Sequence, residues 1–260
     1  MPTVRDVTAF LDDYLPPALA ESWDNVGLLV GDRRSEIAGV MTCLTLTPAT
    51  AAEAVMRQAD LVVSHHPLPF RPIQRLTTDT ATGSILLDLA AARIAVYSPH
   101  TAFDSAAEGI NARLAKRLGL RGVVPLVPRE GTVGAGRYGW FAEPLLLESL
   151  AARVKEILGV DRLGVVAPPQ HPIRTLAVAC GAADEMVEAA CGAGCDAMLL
   201  GEARFHTCLA AEAAGMGLLL PGHFASERFA LDALAEVLAG RFPDLTVWSS
   251  RREHDPIAWL

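Results

Sequence analysis

The stretch at residues 39–67, GVMTCLTLTPATAAEAVMRQADLVVSHHP, sets the architecture of the chain. Its apolar runs at 39–46 and 61–64 predict two buried strands, and the alanine-rich segment between them predicts a helix. A strand, a helix and a second strand at this spacing form a βαβ crossover, which makes the two strands parallel. His65 and His66 follow the second strand directly, so metal-type side chains occupy the turn where a buried strand ends.

The same alternation of helix and strand continues along the chain, which predicts an α/β protein. Apolar spacing predicts further helices at residues 3–15, 82–92, 109–118, 145–158, 184–190, 206–214 and 226–238. Further strands are predicted at residues 28–30, 94–98, 175–179, 197–200, 217–220 and 245–248. Prolines and glycines cluster between residues 121 and 139, and we interpret this change in composition as a domain boundary.

Composition and charge narrow the class of protein. The chain has 260 residues, of which 51% are hydrophobic and 20% charged, so it can bury a large core and is not disordered. Its net charge of −8 argues against a protein that coats nucleic acid, because such a protein needs a basic face. A small anionic substrate stays compatible, since the local charge of a cleft can oppose the net charge.

The cysteines and the N-terminus bear on the compartment. Five cysteines at scattered positions suit a reducing environment. The first residues show neither the basic nor the apolar region of a signal peptide, and no apolar run reaches the ~18 residues that a membrane span needs. We therefore expect a cytoplasmic protein without a membrane segment.

Metal-type side chains follow three of the predicted strands. In open parallel sheets, ligands bind at the carboxyl ends of the strands. Imidazole and carboxylate groups together suit zinc, iron or manganese. The residues are His65 and His66 after the strand at 61–64, His100 and Asp104 after the strand at 94–98, and His223 and Glu227 after the strand at 217–220.

The spacing of His223 and Glu227 is informative, because residues four apart on a helix share one face, with roughly 5–6 Å between their Cβ atoms. A carboxylate can also bridge two ions at the ~3.5–4 Å spacing of two-metal hydrolytic sites. A single histidine after a strand is more often a hydrogen-bonded structural residue, but three such strand ends together favour metal ligation. His100 and His206 stay open: each orients a ligand, contacts a substrate or is structural.

Three other motifs are interpreted as structural. Residues 134–139, GAGRYG, match the G-x-G-x-x-G pattern of dinucleotide sites, but they lie among prolines and well ahead of the next helix, so we expect a turn or hairpin. Cys191 and Cys195 lie in an alanine- and glycine-rich stretch and are expected to pack as small apolar residues. Ser64 and Ser226 lack a G-x-S-x-G setting and are expected to act as caps or hydrogen-bond donors.

Together these blocks resemble the NIF-three-like family (NGG-one-interacting factor three), whose bacterial members carry the name GTP cyclohydrolase 1 type 2 homolog. The blocks occur in the family order and span nearly the whole chain. They are Trp23-Asp24-Asn25-Val26-Gly27-Leu28, Ser64-His65-His66-Pro67-Leu68, His100-Thr101-Ala102-Phe103-Asp104, Gly134-Ala135-Gly136-Arg137-Tyr138-Gly139, Gly201-Glu202 with His206, and Gly222-His223-Phe224-Ala225-Ser226-Glu227.

The resemblance implies a dinuclear centre with two divalent ions per chain, which would be zinc, iron or manganese. Carried over by position, His65 and His223 would hold one ion, His66 and Asp104 would hold the other, and Glu227 would bridge both.

The resemblance also implies two intertwined α/β domains, with the metal site at the carboxyl ends of strands. Because the implied ligands come from 65–104 and from 223–227, the first domain is expected to be discontinuous. We predict a metal-binding domain made of residues 1–124 and 217–260, and a second domain made of residues 125–216.

The expected function is that of a metal-dependent hydrolase, in which a metal-bound hydroxide attacks a purine nucleotide or a phosphoester-type substrate. Under this hypothesis Glu227 is catalytic as the bridging ligand, and His100 is a neighbouring group that orients a ligand of the metal centre. The alternative is a non-catalytic regulatory protein that stores, delivers or senses metal. The resemblance further implies a homohexameric ring, and the family name implies a small-molecule substrate. The acidic net charge and the lack of a long apolar run lead us to expect no nucleic-acid or membrane partner.

Overall fold

The computed structural model describes residues 1–129, 131 and 133–258 of the chain. Its internal contacts divide the chain into two compact units, each made of two pieces. Unit 1 comprises Met1–Phe103 and Ala230–His254, and unit 2 comprises Asp104–Phe229 and residues 255–258. Both units mix helices with strands, which confirms the predicted α/β class.

The elements follow one another in the alternation that the apolar pattern predicts. The helices in the described residues are α1 (Val4–Tyr14), α2 (Pro48–Met56), α3 (Ala81–Ala91), α4 (His100–Ser105), α5 (Ile110–Arg117), α6 (Leu147–Leu158), α7 (Val187–Gly192), α8 (Phe205–Ala213) and α9 (His223–Arg241). The strands are β1 (Gly27–Val30), β2 (Gly39–Cys43), β3 (Leu61–Ser64), β4 (Ala95–Ser98), β5 (Arg121–Val124), β6 (Val127–Pro128), β7 (Gly134–Ala135), β8 (Arg137–Leu146), β9 (Gly164–Val166), β10 (Pro172–Ala182), β11 (Ala197–Glu202), β12 (Gly217–Leu220) and β13 (Thr246–Ser249).

The sheet of unit 1 contains the predicted crossover. Over the described residues it has five strands in the order β1–β4–β3–β2–β13. β13, β2, β3 and β4 are parallel, and β1 runs antiparallel to β4. β2 and β3 pair with Val40 opposite Leu61, and α2 connects them. Every residue of β2, β3 and β4 is buried, which explains why these strands are continuous apolar runs in the sequence.

Helices α2 and α3 cover one face of this sheet. Met41 and Val62 of the sheet pack in one cluster with Leu89 of α3, and all three side chains are 0% exposed. Burying a side chain of this size stabilises the fold by about 1.5–3 kcal/mol. α2 begins at Pro48 because the Thr47 side chain accepts a hydrogen bond from the N–H of Thr50, which caps the helix.

The sheet of unit 2 is mixed. In the described part of the chain it has six strands in the order β5–β8–β10–β11–β12–β9. β10, β11 and β12 are parallel, whereas β8 runs antiparallel to β10 and β9 antiparallel to β12. Ala177, Met198 and Leu218, one from each parallel strand, are fully buried in the core of this unit.

The boundaries of the two units differ from the predicted domain boundaries. The prediction assigns the strand at 217–220 and the helix at 109–118 to the first domain, but both lie in unit 2. β12 pairs with β11 through Leu218 opposite Met198, and α5 packs against β8 and β10. The division falls inside α4, after Phe103, and inside α9, after Phe229, instead of at 124/125 and 216/217. A continuous helix carries no proline or glycine signal, so composition gives no hint of a division inside it.

The described parts of the glycine-rich stretch after residue 121 include paired strands. β5 pairs with β8, with Arg121 opposite Trp140. A Cβ atom at Gly139 would lie 2.7 Å from the carbonyl oxygen of Arg121, so this glycine allows the two backbones to approach. The GAGRYG motif spans β7 and the start of β8, and Gly136 between them has φ +60°, which confirms the predicted turn.

Candidate metal centre

Three histidines of unit 1 lie together where β3 and β4 end. His65 and His66 follow β3 directly, and His100 is the first residue of α4. One ring nitrogen of each lies within 4.8 Å of a ring nitrogen of the other two. The ring centroids are 5.0 Å apart for His65 and His66, 5.2 Å for His65 and His100, and 5.6 Å for His66 and His100. His100, whose role the sequence leaves open, is therefore part of this cluster.

The backbone around His65 and His66 is held by the neighbouring strands. The N–H of His65 donates to the Cys43 carbonyl at 3.0 Å, which extends the pairing of β2 and β3 past the strand end. The Ser98 hydroxyl donates to the His65 carbonyl at 2.7 Å, and the Ser64 hydroxyl donates to the His66 carbonyl at 2.7 Å. Ser64 is thus a hydrogen-bond donor, as the sequence predicts, and the two imidazoles project from a fixed backbone.

A second chain of hydrogen bonds orients the His66 ring. The Thr45 hydroxyl lies 2.7 Å from Nδ1 of His66. The Glu253 carboxylate in turn accepts hydrogen bonds from the N–H of Leu44 at 3.0 Å and from the N–H of Thr45 at 2.7 Å. Metal coordination by His66 would therefore use Nε2, and the C-terminal part of unit 1 supports the loop that orients the ring.

His100 is oriented by a buried carboxylate. Nδ1 of His100 lies 2.7 Å from Oδ1 of Asp24, whose side chain is 0% exposed. Oδ2 of Asp24 accepts hydrogen bonds from the N–H of Thr101, at 3.1 Å, and from the Thr101 hydroxyl. Burial acts to raise the pKa of Asp24, but the hydrogen bonds from His100 and Thr101 outweigh it and lower the pKa to about 2. A carboxylate at Nδ1 holds the proton there, so Nε2 of His100 carries the lone pair.

The backbone of His100 is also unusual. Its φ of +27° is in a region that non-glycine residues avoid, which costs of order 1–3 kcal/mol. The hydrogen bonds to Asp24 hold the residue in this conformation. Such strain is concentrated at functional sites, which favours a role for His100 beyond packing.

In unit 2, His223 and Glu227 lie one turn apart at the start of α9, as their spacing predicts. Nε2 of His223 is 3.2 Å from Oε2 of Glu227, and Nδ1 of His223 is 2.9 Å from Oε1 of Glu202. The hydrogen bond to Glu227 is the main cause that raises the pKa of His223 to about 9; burial opposes it, and Glu202 adds to it. Glu202, at the end of β11, is a member of this group that the site prediction misses.

Two glycines make space for the side chains of the first turn of α9. Gly181 has φ +68°, and a Cβ atom there would lie 2.3 Å from Oε1 of Glu227. A Cβ atom on Gly201 would lie 2.7 Å from the Ser226 hydroxyl oxygen. That hydroxyl accepts from the N–H of Gly181 at 2.9 Å and donates to the His223 carbonyl at 2.8 Å. Ser226 is therefore a hydrogen-bonding link between β10 and the first turn of α9, in agreement with its predicted role.

Asp104 is tied into unit 2 through Asn111. The Asn111 side chain donates to the Asp104 carbonyl at 3.2 Å and accepts from the N–H of Cys180 at 2.8 Å. Burial raises the pKa of the Cys180 thiol well above its ordinary value, and the negative charges of Glu227 and Asp104 raise it further. The charges of Asp104 and Glu227 therefore both disfavour the thiolate form of Cys180.

The GAGRYG motif supports the segment next to Asp104. Arg137 is 2% exposed, and its guanidinium donates to the carbonyls of Gly134 and Gly136 at 2.6 and 2.7 Å. The same guanidinium donates to the carbonyls of Ser105 and Ala106 at 3.1 and 2.7 Å. The motif thus presents an arginine that fixes the C-terminal end of α4, where Asp104 lies.

The donor groups fit divalent transition metals. Unit 1 offers imidazole nitrogens, and unit 2 offers an imidazole with carboxylates, which are the ligand types of zinc, iron and manganese sites. His206 is exposed on α8 with its ring 5.7 Å from that of Phe205 and belongs to neither group. Cys195 is buried and Cys191 partly buried, and they pack in the apolar core of unit 2, as predicted.

Known proteins are similar to this chain over nearly its whole length. The family model Duf34/NIF3 (NGG1p interacting factor 3) matches residues 2–256. The chain belongs to the NIF3 family. Within this family it is 29% identical over 240 residues to a "GTP cyclohydrolase 1 type 2 homolog" of Clostridium acetobutylicum, covering 91% of this chain and 90% of the relative. It is 33% identical over 262 residues to "Protein NIF3 homolog" of Schizosaccharomyces pombe, covering 94% and 93%.

Solved structures show the same NIF3 fold. A Bacillus cereus protein related to NIF3 matches with a TM-score of 0.93 at 20% identity, covering 100% of this chain and 99% of that one. A Staphylococcus aureus hypothetical protein matches with a TM-score of 0.92 at 24% identity, with the same coverage. Both family and fold predicted from the motifs are thereby confirmed. Among the described residues, no helix is long and apolar enough to cross a membrane.

Proposed function

We propose that this NIF3 protein is a metal-dependent hydrolase with two divalent ions per chain. The proposed ligands are His65, His66, Asp104, His223 and Glu227, with Glu227 bridging the ions. The names of its bacterial relatives support GTP or another purine nucleotide as the substrate. The observation that carries the proposal is the cluster of three histidine ring nitrogens within 4.8 Å in unit 1.

The bound ions would supply a water molecule with a lowered pKa at neutral pH. The contribution of the chain itself is orientation and proton transfer. Because Asp24 holds the proton on Nδ1 of His100, Nε2 is the atom that takes up a proton from the attacking water. The buried Asp24 carboxylate then stabilises the imidazolium that forms, as a carboxylate does in a histidine-dependent hydrolase.

The test combines metal analysis with activity. We expect about two zinc, iron or manganese ions per chain and chelator-sensitive turnover of GTP or of a phosphoester in a substrate panel. Glu227→Gln should lose both metal and turnover, and His100→Gln should keep the metal but lose most of the turnover. His206→Gln is the matched control, because this histidine is exposed on α8 and belongs to neither group.

A second candidate function is non-catalytic binding, in which the protein stores, delivers or senses metal. It is supported by the position of His223 between two carboxylates, Glu227 at 3.2 Å and Glu202 at 2.9 Å, because these contacts favour a protonated ring that must lose its proton before it coordinates an ion. Metal uptake would then be coupled to pH. Two ions per chain with no turnover of any substrate in the panel would favour this function over the hydrolase.

We also propose that the protein is cytoplasmic, as its scattered cysteines indicate, and that it forms a homohexameric ring, as the resemblance implies. Light scattering after size-exclusion chromatography tests the ring directly. A mass of about six chains is expected, whereas a monomer or dimer would rule the hexamer out.

A further inference from the structure

Two aromatic side chains lie exposed beside the histidine cluster of unit 1. Trp23 is 61% exposed and Phe70 is 42% exposed, and their ring centroids are 6.0 Å apart. The His100 ring centroid lies 6.2 Å from that of Trp23 and 6.0 Å from that of Phe70. Packing against each other leaves large parts of both rings open to solvent, next to groups that can bind metal.

The orientation of the three rings restricts what can bind there. The planes of Trp23 and Phe70 differ by 68°, and those of Trp23 and Phe70 differ from the His100 plane by 75° and 88°. The three rings are therefore steeply inclined to one another, and we call this group of Trp23, Phe70 and His100 the aromatic corner. A flat ring entering it can stack on one of the three rings and meet another with its edge, which are the two favourable geometries for aromatic pairs. Trp23, the most exposed of the three, offers the stacking face.

The corner is held rigidly by the backbone next to it. Asp24 is hydrogen-bonded to His100 and Thr101, which fixes the residue after Trp23. The Asn25 side chain donates to the carbonyl of Pro69 at 2.7 Å, which joins the loop that carries Trp23 to the loop that carries Phe70. A corner that is already ordered loses little entropy when a ligand binds.

We propose that Trp23 and Phe70 form a subsite for the flat heteroaromatic ring of the substrate. The substrate class is then a ring-bearing molecule such as a nucleotide, and not a simple phosphoester. This inference rests on the proposed function, because it assigns the ring of the substrate that the metal centre would act on. The ring stacks on Trp23, meets Phe70 edge-on, and brings the rest of the substrate to the histidines.

The experiment uses the metal-loaded full chain and measures binding of GTP, guanosine and inorganic triphosphate by quenching of tryptophan fluorescence and by calorimetry. Guanosine and GTP should quench Trp23. Trp23→Ala should weaken both roughly tenfold and leave triphosphate unchanged, because stacking of a base on an aromatic side chain is lost. Trp23→Phe should restore most of the affinity, and Phe70→Ala should give a smaller loss. Trp140→Phe, which removes another half-exposed tryptophan, is the matched control.

Several outcomes would overturn the subsite. These are an unchanged guanosine affinity in Trp23→Ala, equal losses for guanosine and triphosphate, or a Trp23 emission that shifts with protein concentration alone, which would mean that a second copy covers the corner. Failure of the proposed function looks different. If guanosine binds through Trp23 but neither GTP nor any phosphoester of the panel is turned over, the subsite is supported and the hydrolase is ruled out. If GTP is turned over with the same KM in Trp23→Ala, the hydrolase is supported and the subsite is ruled out.

Discussion

The candidate metal ligands of unit 1 and those of unit 2 are held in place in different ways. In unit 1, hydrogen bonds from side chains set the rings: Thr45 orients His66 and Asp24 orients His100. In unit 2, the space left by glycines and the attraction between charged groups set the positions of the ligands. Gly181 leaves space that a Cβ atom would take from Glu227, and the Glu227 carboxylate pairs with His223. The comparison teaches that unit 2 should be more sensitive to added volume and to pH, and unit 1 to the loss of single polar groups.

The largest effect is expected for Gly181→Ala. Its φ of +68° strains any alanine by about 1–2 kcal/mol, and the new Cβ atom, 2.3 Å from Oε1 of Glu227, adds about 1–3 kcal/mol of overpacking. We expect a marked fall in the free energy of unfolding, and loss of metal if Glu227 is a ligand. Chemical denaturation and metal analysis measure the two effects.

Gly194→Ala is the matched control for this substitution. Gly194 has nearly the same φ, +71°, but a Cβ atom there would meet nothing within 4 Å. The Gly194→Ala variant should therefore lose only the stability that the backbone strain costs, and it should keep its metal. Equal losses in the two variants would mean that crowding at Glu227 is not what distinguishes unit 2.

The next largest effect is expected for Asp24→Asn in unit 1. The pKa of Asp24 is lowered from 3.8 to about 2, so its contribution of about 2 kcal/mol is present above pH 3.8 and is lost as the pH falls through about 2. The variant should be less stable at neutral pH by about this amount and should unfold with a weaker pH dependence below pH 4. Urea denaturation between about pH 2 and pH 7 measures both.

Asp32→Asn provides the contrast on the surface. The Asp32 carboxylate also has a pKa lowered to about 2, mainly by its hydrogen bond with Arg34, but both side chains are at least half exposed. Its effect should be small and should vanish in high salt, because water and ions screen exposed pairs. If the loss of stability in Asp24→Asn were as small and as salt-sensitive as that in Asp32→Asn, burial would not explain the effect in unit 1.

A smaller and pH-dependent effect is expected at His223. Its pKa is raised from 6.5 to about 9, so the pair with Glu227 stabilises the metal-free protein fully below pH 6.5 and is lost as the pH rises through about 9. If His223 is a metal ligand, metal binding must remove this proton, so zinc affinity should rise up to tenfold per pH unit below pH 9. Competition with a chromophoric chelator measures it, and a flat profile that matches that of His223→Ala would refute it.

The smallest effect is expected for Thr45→Val. The valine keeps the volume but cannot hydrogen-bond to Nδ1 of His66, which should lower the free energy of unfolding by about 1 kcal/mol and metal affinity about tenfold. Thr45→Ser keeps the hydroxyl and should behave like the parent protein. If the serine variant loses as much metal as the valine variant, the hydroxyl does not orient His66.

Much of the fold and part of the candidate site were predictable. The βαβ unit is visible because β2 and β3 are buried on both faces and leave continuous apolar runs. The i, i+4 spacing of His223 and Glu227 places them on one helical face wherever the helix packs. Gly181 could not be predicted, because its need for a missing Cβ atom comes from a carboxylate 46 residues away along the chain. The residue lies in a strand, where a glycine alone marks no particular role.

Local periodicity and motif order were enough to predict the α/β class, the strand ends that carry His65, His66 and His223, and membership of the NIF3 family. Three contacts, in contrast, follow from the folded chain alone. Asp24 hydrogen-bonds to His100, Arg137 hydrogen-bonds to the end of α4, and Trp23 and Phe70 lie beside the histidines. The hydrogen bond of Asp24 with His100 joins residues 76 apart in the chain, and that of Arg137 with Ala106 joins residues 31 apart. No local pattern encodes such contacts, because they form only when separate strands and helices pack together.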